Sequence, residues 1–192
     1  VSPALLKRIG NLGSLTDLSL EKTPTDDAGV SHLSSLPKLQ WLNLYRTRIS
    51  DPGLAKIAQI QSLTDLPIGE TLITDIGLRH LTNLTRLRYL GLRATKITDD
   101  GLRHLTVLSN LTGLHLGETK ISNPGLQQLP RLPKLQKLWL NDTRVTDDGL
   151  APLTRLKNLR QLLICNTKVT ATGYEQLQRA LPDCFILYSV PE

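Results

Sequence analysis

The stretch KITDDGLRHL, Lys96 to Leu105, sets two aspartates, a glycine and a histidine within ten residues. Taken alone, it suits a metal or acid–base site as well as a structural element. Its relatives along the chain decide between the two. RISDPGLAKI begins at Arg48, LITDIGLRHL at Leu72, KISNPGLQQL at Lys120 and RVTDDGLAPL at Arg144. Each follows the last by 24 residues, with no insertion or deletion.

Extended outward, the repeat becomes seven blocks that open at Leu15, Leu39, Leu63, Leu87, Leu111, Leu135 and Leu159. Counting the opening leucine as position 1, the blocks follow L-x-x-L-x-[LI]-x-x-T-x-[IVT]-[STD]-x-x-G-[LVY], with further apolar residues at positions 19 and 22. Every block carries threonine at position 9 (Thr23 to Thr167) and glycine at position 15 (Gly29 to Gly173). Apolar positions 4 and 6 alternate as in a strand, whereas 16, 19 and 22 recur at helical spacing. No block can bury its own leucines, so neighbours must stack.

The pattern resembles the leucine-rich repeat, with threonine where asparagine or cysteine is usual. The T-D-x-G-L continuation is similar to repeats of F-box-type adaptors and of bacterial multi-repeat proteins. The resemblance implies an α/β solenoid, a right-handed horseshoe with a parallel sheet on the concave face and short helices on the convex face. It also implies a scaffold or recognition part of a larger protein. Residues 1–192 read as a single domain: an N-terminal half repeat over 1–14, seven repeats over 15–182, and a strand and tail over 183–192.

This frame gives the opening stretch a structural reading. The position-13 column Asp27, Asp51, Asp75, Asp99, Asn123, Asp147, Ala171 precedes each helical segment, and Pro52 and Pro124 follow it in two blocks. Asp-Pro predicts an N-cap followed by the first helical residue. Glycine two residues on is expected to let the helix approach the sheet. The position-9 hydroxyls are expected to satisfy loop backbone groups inside the core. His32, His80 and His104 share position 18 with Lys56, Gln128, Pro152 and Gln176, the mixture of a solvated outer face. Pro67 removes a ladder donor from a central strand and predicts a local distortion. At the ends, SPALLKRIGNLGS fits a helical half repeat, with Ile9 and Leu12 at positions 19 and 22. ALPDCFILYSVPE fits a last short strand, with Cys184 as a buried stand-in for a position-1 leucine and Pro191 as a stop.

Composition narrows the function further. The 192 residues carry a formal charge of +6, seven aromatic residues and no methionine. With Val1 as the first residue, the lack of methionine suggests a piece of a longer protein. Two cysteines, Cys165 and Cys184, are too few for a disulfide framework and lack zinc-ligand spacing. No signal peptide, lipidation motif or run of the roughly 20 apolar residues that span a bilayer is visible.

Positions 2, 3, 5, 7 and 8 are expected to face outward from the concave sheet. There Lys22, Arg46, Arg88, Arg93, Lys137 and Arg160 balance Asp17, Glu21, Asp65, Glu70, Glu118 and Asp142. The surplus charge is assigned to position 10, where Arg48, Lys96, Lys120, Arg144 and Lys168 form a ladder on the loop edge. Surplus charge and aromatic residues thus occupy different faces, and nucleic acid is not an expected partner.

Trp41, Tyr45, Tyr89 and Trp139 project from the concave sheet, joined by His115. With Arg46 and Arg93 beside them they have the composition of a protein-interface hot spot. Between the two tryptophans lie Pro67, Gly69, Gly91, Ala94, Gly113 and Gly117, a small-residue floor between walls about 19 Å apart. The expected function is therefore a non-catalytic, monomeric module that binds a protein or peptide through Trp41, Tyr45, Arg46, Tyr89, Arg93, His115 and Trp139, without cofactor or metal. Alternatives are a substrate-recognition segment of a ubiquitin-ligase-type adaptor, a small-molecule or enzymatic site on the glycine floor, and a structural spacer. Catalysis is disfavoured by spacing: Cys165 and His115 lie two repeats apart, nearly 10 Å. Glu118 and Asp142 share position 8 in adjacent repeats, about 5 Å apart, on an open slope.

Overall fold

A computed structural model describes residues 2–189; Pro191, the expected stop, lies outside the described residues. Eight three-residue strands form one sheet in sequence order, and all neighbours are parallel. They are β1 (Asp17–Ser19), β2 (Trp41–Asn43), β3 (Asp65–Pro67), β4 (Tyr89–Gly91), β5 (Gly113–His115), β6 (Lys137–Trp139), β7 (Gln161–Leu163) and β8 (Phe185–Leu187). Pairing partners are 24 residues apart throughout, as in Leu90 with Leu114 and Leu162 with Ile186. Sequence repeat and structural repeat therefore coincide.

Short helices return the chain from one strand to the next: α1 (Pro3–Ile9), α2 (Asp27–Ser31), α3 (Asp51–Ile57), α4 (Asp75–Leu78), α5 (Asp99–Leu102), α6 (Asn123–Leu126) and α7 (Ala171–Ala180). Between α6 and α7 the sixth repeat returns through 3₁₀ turns over Asp147–Gly149 and Ala151–Arg155. Side chains at positions 1, 4, 6, 11, 16, 19 and 22 meet between sheet and helices. In the fourth repeat Leu87, Leu90, Leu92, Ile97, Leu102, Leu105 and Leu108 are all at most 1% exposed. One leucine-rich core runs unbroken along the solenoid.

Each position-9 threonine binds the position-6 carbonyl of its own repeat, as in Thr95 Oγ1 to Leu92 O at 2.7 Å and Thr119 Oγ1 to Leu116 O at 2.6 Å. The hydroxyl satisfies a carbonyl that the turn carries into the apolar interior. That turn has a feature no glycine announces. The position-8 residues Lys22, Arg46, Glu70, Ala94, Glu118, Asp142 and Asn166 all have φ between 50 and 58°. Left-handed backbone at a non-glycine residue costs about 1–2 kcal/mol. The ladder holds it: Ala94 N–H donates to Gly117 O at 3.0 Å, and Glu118 N–H to Asn141 O at 2.9 Å.

The acidic column proves to be a joint between repeats, one residue away from the expected cap. The N-cap is position 12 (Asp26, Ser50, Thr74, Thr98, Ser122, Thr170), and position 13 is the first helical residue. Each position-13 carboxylate reaches forward into the next repeat. Asp75 Oδ1 accepts Thr98 N–H at 2.8 Å, and its Oδ2 accepts the Thr98 hydroxyl at 2.7 Å. Asp27, Asp51, Asp99 and Asp147 do the same to Ser50, Thr74, Ser122 and Thr170. Asn123 keeps the first bond, accepting Thr146 N–H at 2.9 Å, but its Nδ2 donates to the Thr146 hydroxyl.

Position 15 completes the joint. A Cβ on Gly101 would collide with Asp75 Oδ1, and one on Gly77 or Gly125 with the carboxylate of Asp51 or Asp99. Glycine is there to admit the preceding repeat's carboxylate, not to bring the helix closer to the sheet. Where Thr74 and Thr98 cap, their hydroxyls accept the N–H of position 14, from Ile76 and Asp100. Pro52 and Pro124 occupy that position after Ser50 and Ser122, which cap nothing. Proline removes the donor that threonine otherwise satisfies.

Candidate functional site

Strand alternation and 24-residue register bring the concave residues into rows. Position 5 lines up Asn43, Pro67, Gly91, His115 and Trp139, and position 3 lines up Trp41, Asp65, Tyr89, Gly113 and Lys137. The rings of Tyr89, His115 and Trp139 meet in one cluster. His115 stacks on Trp139 with centroids 5.3 Å apart, and Tyr89 meets Trp139 edge-on at 6.2 Å. All three side chains are partly exposed on the open face.

The floor between the tryptophans is not an empty depression. Tyr89 folds over Gly91 and Gly113: a Cβ on Gly113 would stand 2.9 Å from Tyr89 Cδ2. Tyr45 covers Gly69, where a Cβ would meet its ring carbons at 3.1 Å, and His115 with Asn141 covers Gly117. The glycines are buried because their neighbours' rings lie on them. Alternating large and small residues across strands let the aromatic side chains lie down on the sheet.

Burial, and next the Arg93 charge, push the His115 imidazole down to about 4. The ring is thus neutral at pH 7, with Nδ1 accepting Gly117 N–H at 3.2 Å. Burial, and next the Asp65 carboxylate, raise the Tyr89 phenol. The cluster is an uncharged platform over the whole neutral pH range.

Beside it lies a charged network that joins Tyr45, Arg46 and Arg93. Tyr45 Oη donates to Glu70 and accepts from Arg93 Nη1 at 2.9 Å. Arg93 Nε donates to Glu118 Oε1 at 2.7 Å, and Arg46 Nε lies 3.6 Å from Glu70 Oε2. Trp41, at the start of β2, is half-buried on the same face but stacks on none of these rings. The seven expected binding residues thus fall into an aromatic cluster, a charged network and a separate tryptophan.

Glu118 belongs to Arg93, while Asp142 accepts from Asn141 and Asn166 Nδ2 at 2.8 and 3.0 Å. Each carboxylate thus has its own hydrogen-bond partners. Pro67 interrupts pairing on one side only. β2 and β3 pair through Trp41 and Asp65 alone, whereas β3 and β4 pair regularly through Pro67 and Gly91. The register puts Cys184 at position 2 rather than position 1, yet it is 3% exposed, and burial raises its thiol to about 11. Cys165 is partly exposed, its Sγ 3.6 Å from Leu187 O. His80 and His104 lie on the outer face, where burial and the charges of Arg103 and Arg79 lower the His104 pKa.

The surplus charge is not on the loop edge. Five position-10 cations there face eight aspartates at positions 12–14. Among the described residues, no helix is long and apolar enough to cross a membrane.

No protein-family model matches the sequence, and no curated protein matches it either. Solved structures do. The internalin inlF of Listeria monocytogenes superposes with a TM-score of 0.77 at 26% identity, over 97% of this chain and 51% of its own. Internalin C2 (inlC2) of the same organism gives 0.69 at 24% identity, over 98% of this chain and 84% of its own. The chain thus spans about half the length of the inlF structure. Eight parallel strands in sequence order, a 24-residue period and these likenesses give this chain the fold of a leucine-rich-repeat solenoid of the internalin-like form.

Proposed function

We propose that the concave face is a docking surface for a protein or peptide, with Tyr89, His115 and Trp139 as its anchor. Solenoids of this fold typically bind proteins and are generally non-catalytic. The observation that carries the reading is the aromatic cluster itself. Three rings, one of them an imidazole held neutral, gather on an otherwise charged surface and stay partly open to solvent. Large rings with few rotatable bonds supply contact area at low entropic cost. The surrounding Tyr45–Glu70–Arg93–Glu118 network presents fixed charges that would set the partner's register rather than its affinity. Trp41 would contact a partner long enough to cross from β6 to β2.

Peptides or small domains enriched on the wild-type chain from a display library provide the test. They should lose binding at least tenfold on Trp139→Ala and on Tyr89→Ala, while the far-ultraviolet circular dichroism spectrum shows the solenoid still folded. Enriched binders that ignore both substitutions would refute the proposal.

A further inference from the structure

The edge where the chain enters the strands, opposite the aspartate joints, differs in charge from the rest of the molecule. It comprises positions 22–24 of one repeat and 1–2 of the next. From Leu36 to Arg160 these positions hold Lys38, Arg86, Arg88, Lys134, Lys157 and Arg160, and no aspartate or glutamate. All six cations are exposed. Among the described residues only Arg88 has a carboxylate within 4 Å, Asp65 at a long 3.9 Å, while Asp183 borders the groove that Lys157 and Arg160 line. The positive surface continues onto the outer helical positions through Arg131 and Arg155.

The cations are ordered. Position 24 reads Lys38, Ser62, Arg86, Asn110, Lys134, Asn158, so that a cation alternates with a small hydrogen-bonding residue. Successive cations in that column are two repeats apart, about 10 Å by strand spacing. An open groove of about 470 Å³ crosses the edge, lined by Gln40, Thr64, Arg86, Arg88, Thr112 and Lys134 together with Asn110. Asn110 and Asn158 each tie back to the preceding repeat, to Thr85 O at 2.8 Å and Pro133 O at 2.7 Å. The alternation is thereby held rigidly to the solenoid.

We infer that this edge binds a linear acidic polysaccharide in which acidic sugars alternate with neutral ones, laid along the solenoid axis. Cations two repeats apart match a charge on every second sugar, close to the length of a disaccharide. Between them Ser62, Asn110 and Asn158 are tied to backbone carbonyls and carry no charge, which suits an uncharged sugar lying over them. Nucleic acid fits less well, because successive phosphates on a strand are about 3.4 Å apart along a duplex. Single strands also want aromatic platforms, and the edge positions contain no aromatic residue.

The test measures binding of size-defined hyaluronan oligosaccharides, in which a uronic acid alternates with a neutral N-acetylhexosamine, by calorimetry at two salt concentrations. The variants are Lys38→Ala/Arg86→Ala/Lys134→Ala and, as a control of equal charge, Lys96→Ala/Lys120→Ala/Arg144→Ala on the opposite edge. Wild type should bind, the first triple should lose at least tenfold, and the control less than twofold. Trp139→Ala should bind the glycan normally, which separates this site from the concave surface. No binding by wild type, equal losses from both triples, or tighter binding of a single-stranded DNA of equal charge would overturn the assignment.

Discussion

Gly101→Ala tests the joint between repeats because two principles give it opposite signs. On helix propensity alone, alanine at this position of α5 stabilises by at most about 1 kcal/mol. The structure adds a collision: the new Cβ would meet Asp75 Oδ1. Displacing that carboxylate breaks its bonds to Thr98 N–H and to the Thr98 hydroxyl. Hydrogen bonds to charged groups contribute about 1.5–3 kcal/mol each. Asp75 is only partly buried and regains water when displaced, so about 2–3 kcal/mol for the pair is the working figure. The net expectation is a loss of about 1–2 kcal/mol. Urea unfolding followed by far-ultraviolet circular dichroism measures it in wild type, Gly101→Ala, Asp75→Ala and the double variant. With Asp75 already gone, alanine at 101 should be neutral or stabilising. The cycle should show about 2–3 kcal/mol of coupling. Stabilisation by Gly101→Ala alone, or additive effects, would refute the joint.

Three other outcomes follow from the same geometry. His115, at about 4 when folded against about 6.5 when unfolded, contributes stability that is complete above pH 6.5 and lost as pH falls toward 4. Allowing for its partial exposure, the loss is about 1–2 kcal/mol; an imidazole NMR titration with a midpoint above 6 would contradict it. Thr95→Val removes the hydroxyl from Leu92 O and should lower stability by about 1–2 kcal/mol in urea, whereas the exposed Thr85→Val should not. Asn123→Asp should raise the urea-derived stability by about 0.5–1 kcal/mol, because a carboxylate can accept both Thr146 bonds and free that hydroxyl to cap; destabilisation would show that the amide is preferred.

The repeat and its buried positions are legible because they depend only on period. Leu90, Leu92 and Leu102 declare a strand and a helix by their spacing, and the register follows at 24 residues. The role of Thr95 is legible too, since a polar residue recurring among leucines needs a partner. Asp75 is not, because its partners belong to the next repeat and its own repeat gives no sign of them. The left-handed turn at Ala94 and Glu118 is hidden because no glycine marks it. For the candidate site, period places Tyr89, His115 and Trp139 on one face, but not the rotamers that gather their rings. The glycines between them suggested open space when read singly. Read as pairs across strands, Gly113 beside Tyr89 already implies a ring lying down.

The string that carries the aspartate also carries the serine or threonine and the glycine that receive its counterpart from the repeat before. Plug and socket therefore sit on the same few residues of every unit, and each connection has a direction. Excising 87–110 would bring Asp75 of one unit onto Ser122 and Gly125 of another, where Asp99 now fits. The array can thus gain or lose a whole unit without new interface chemistry. Its reach along the axis is free to change while each junction stays the same.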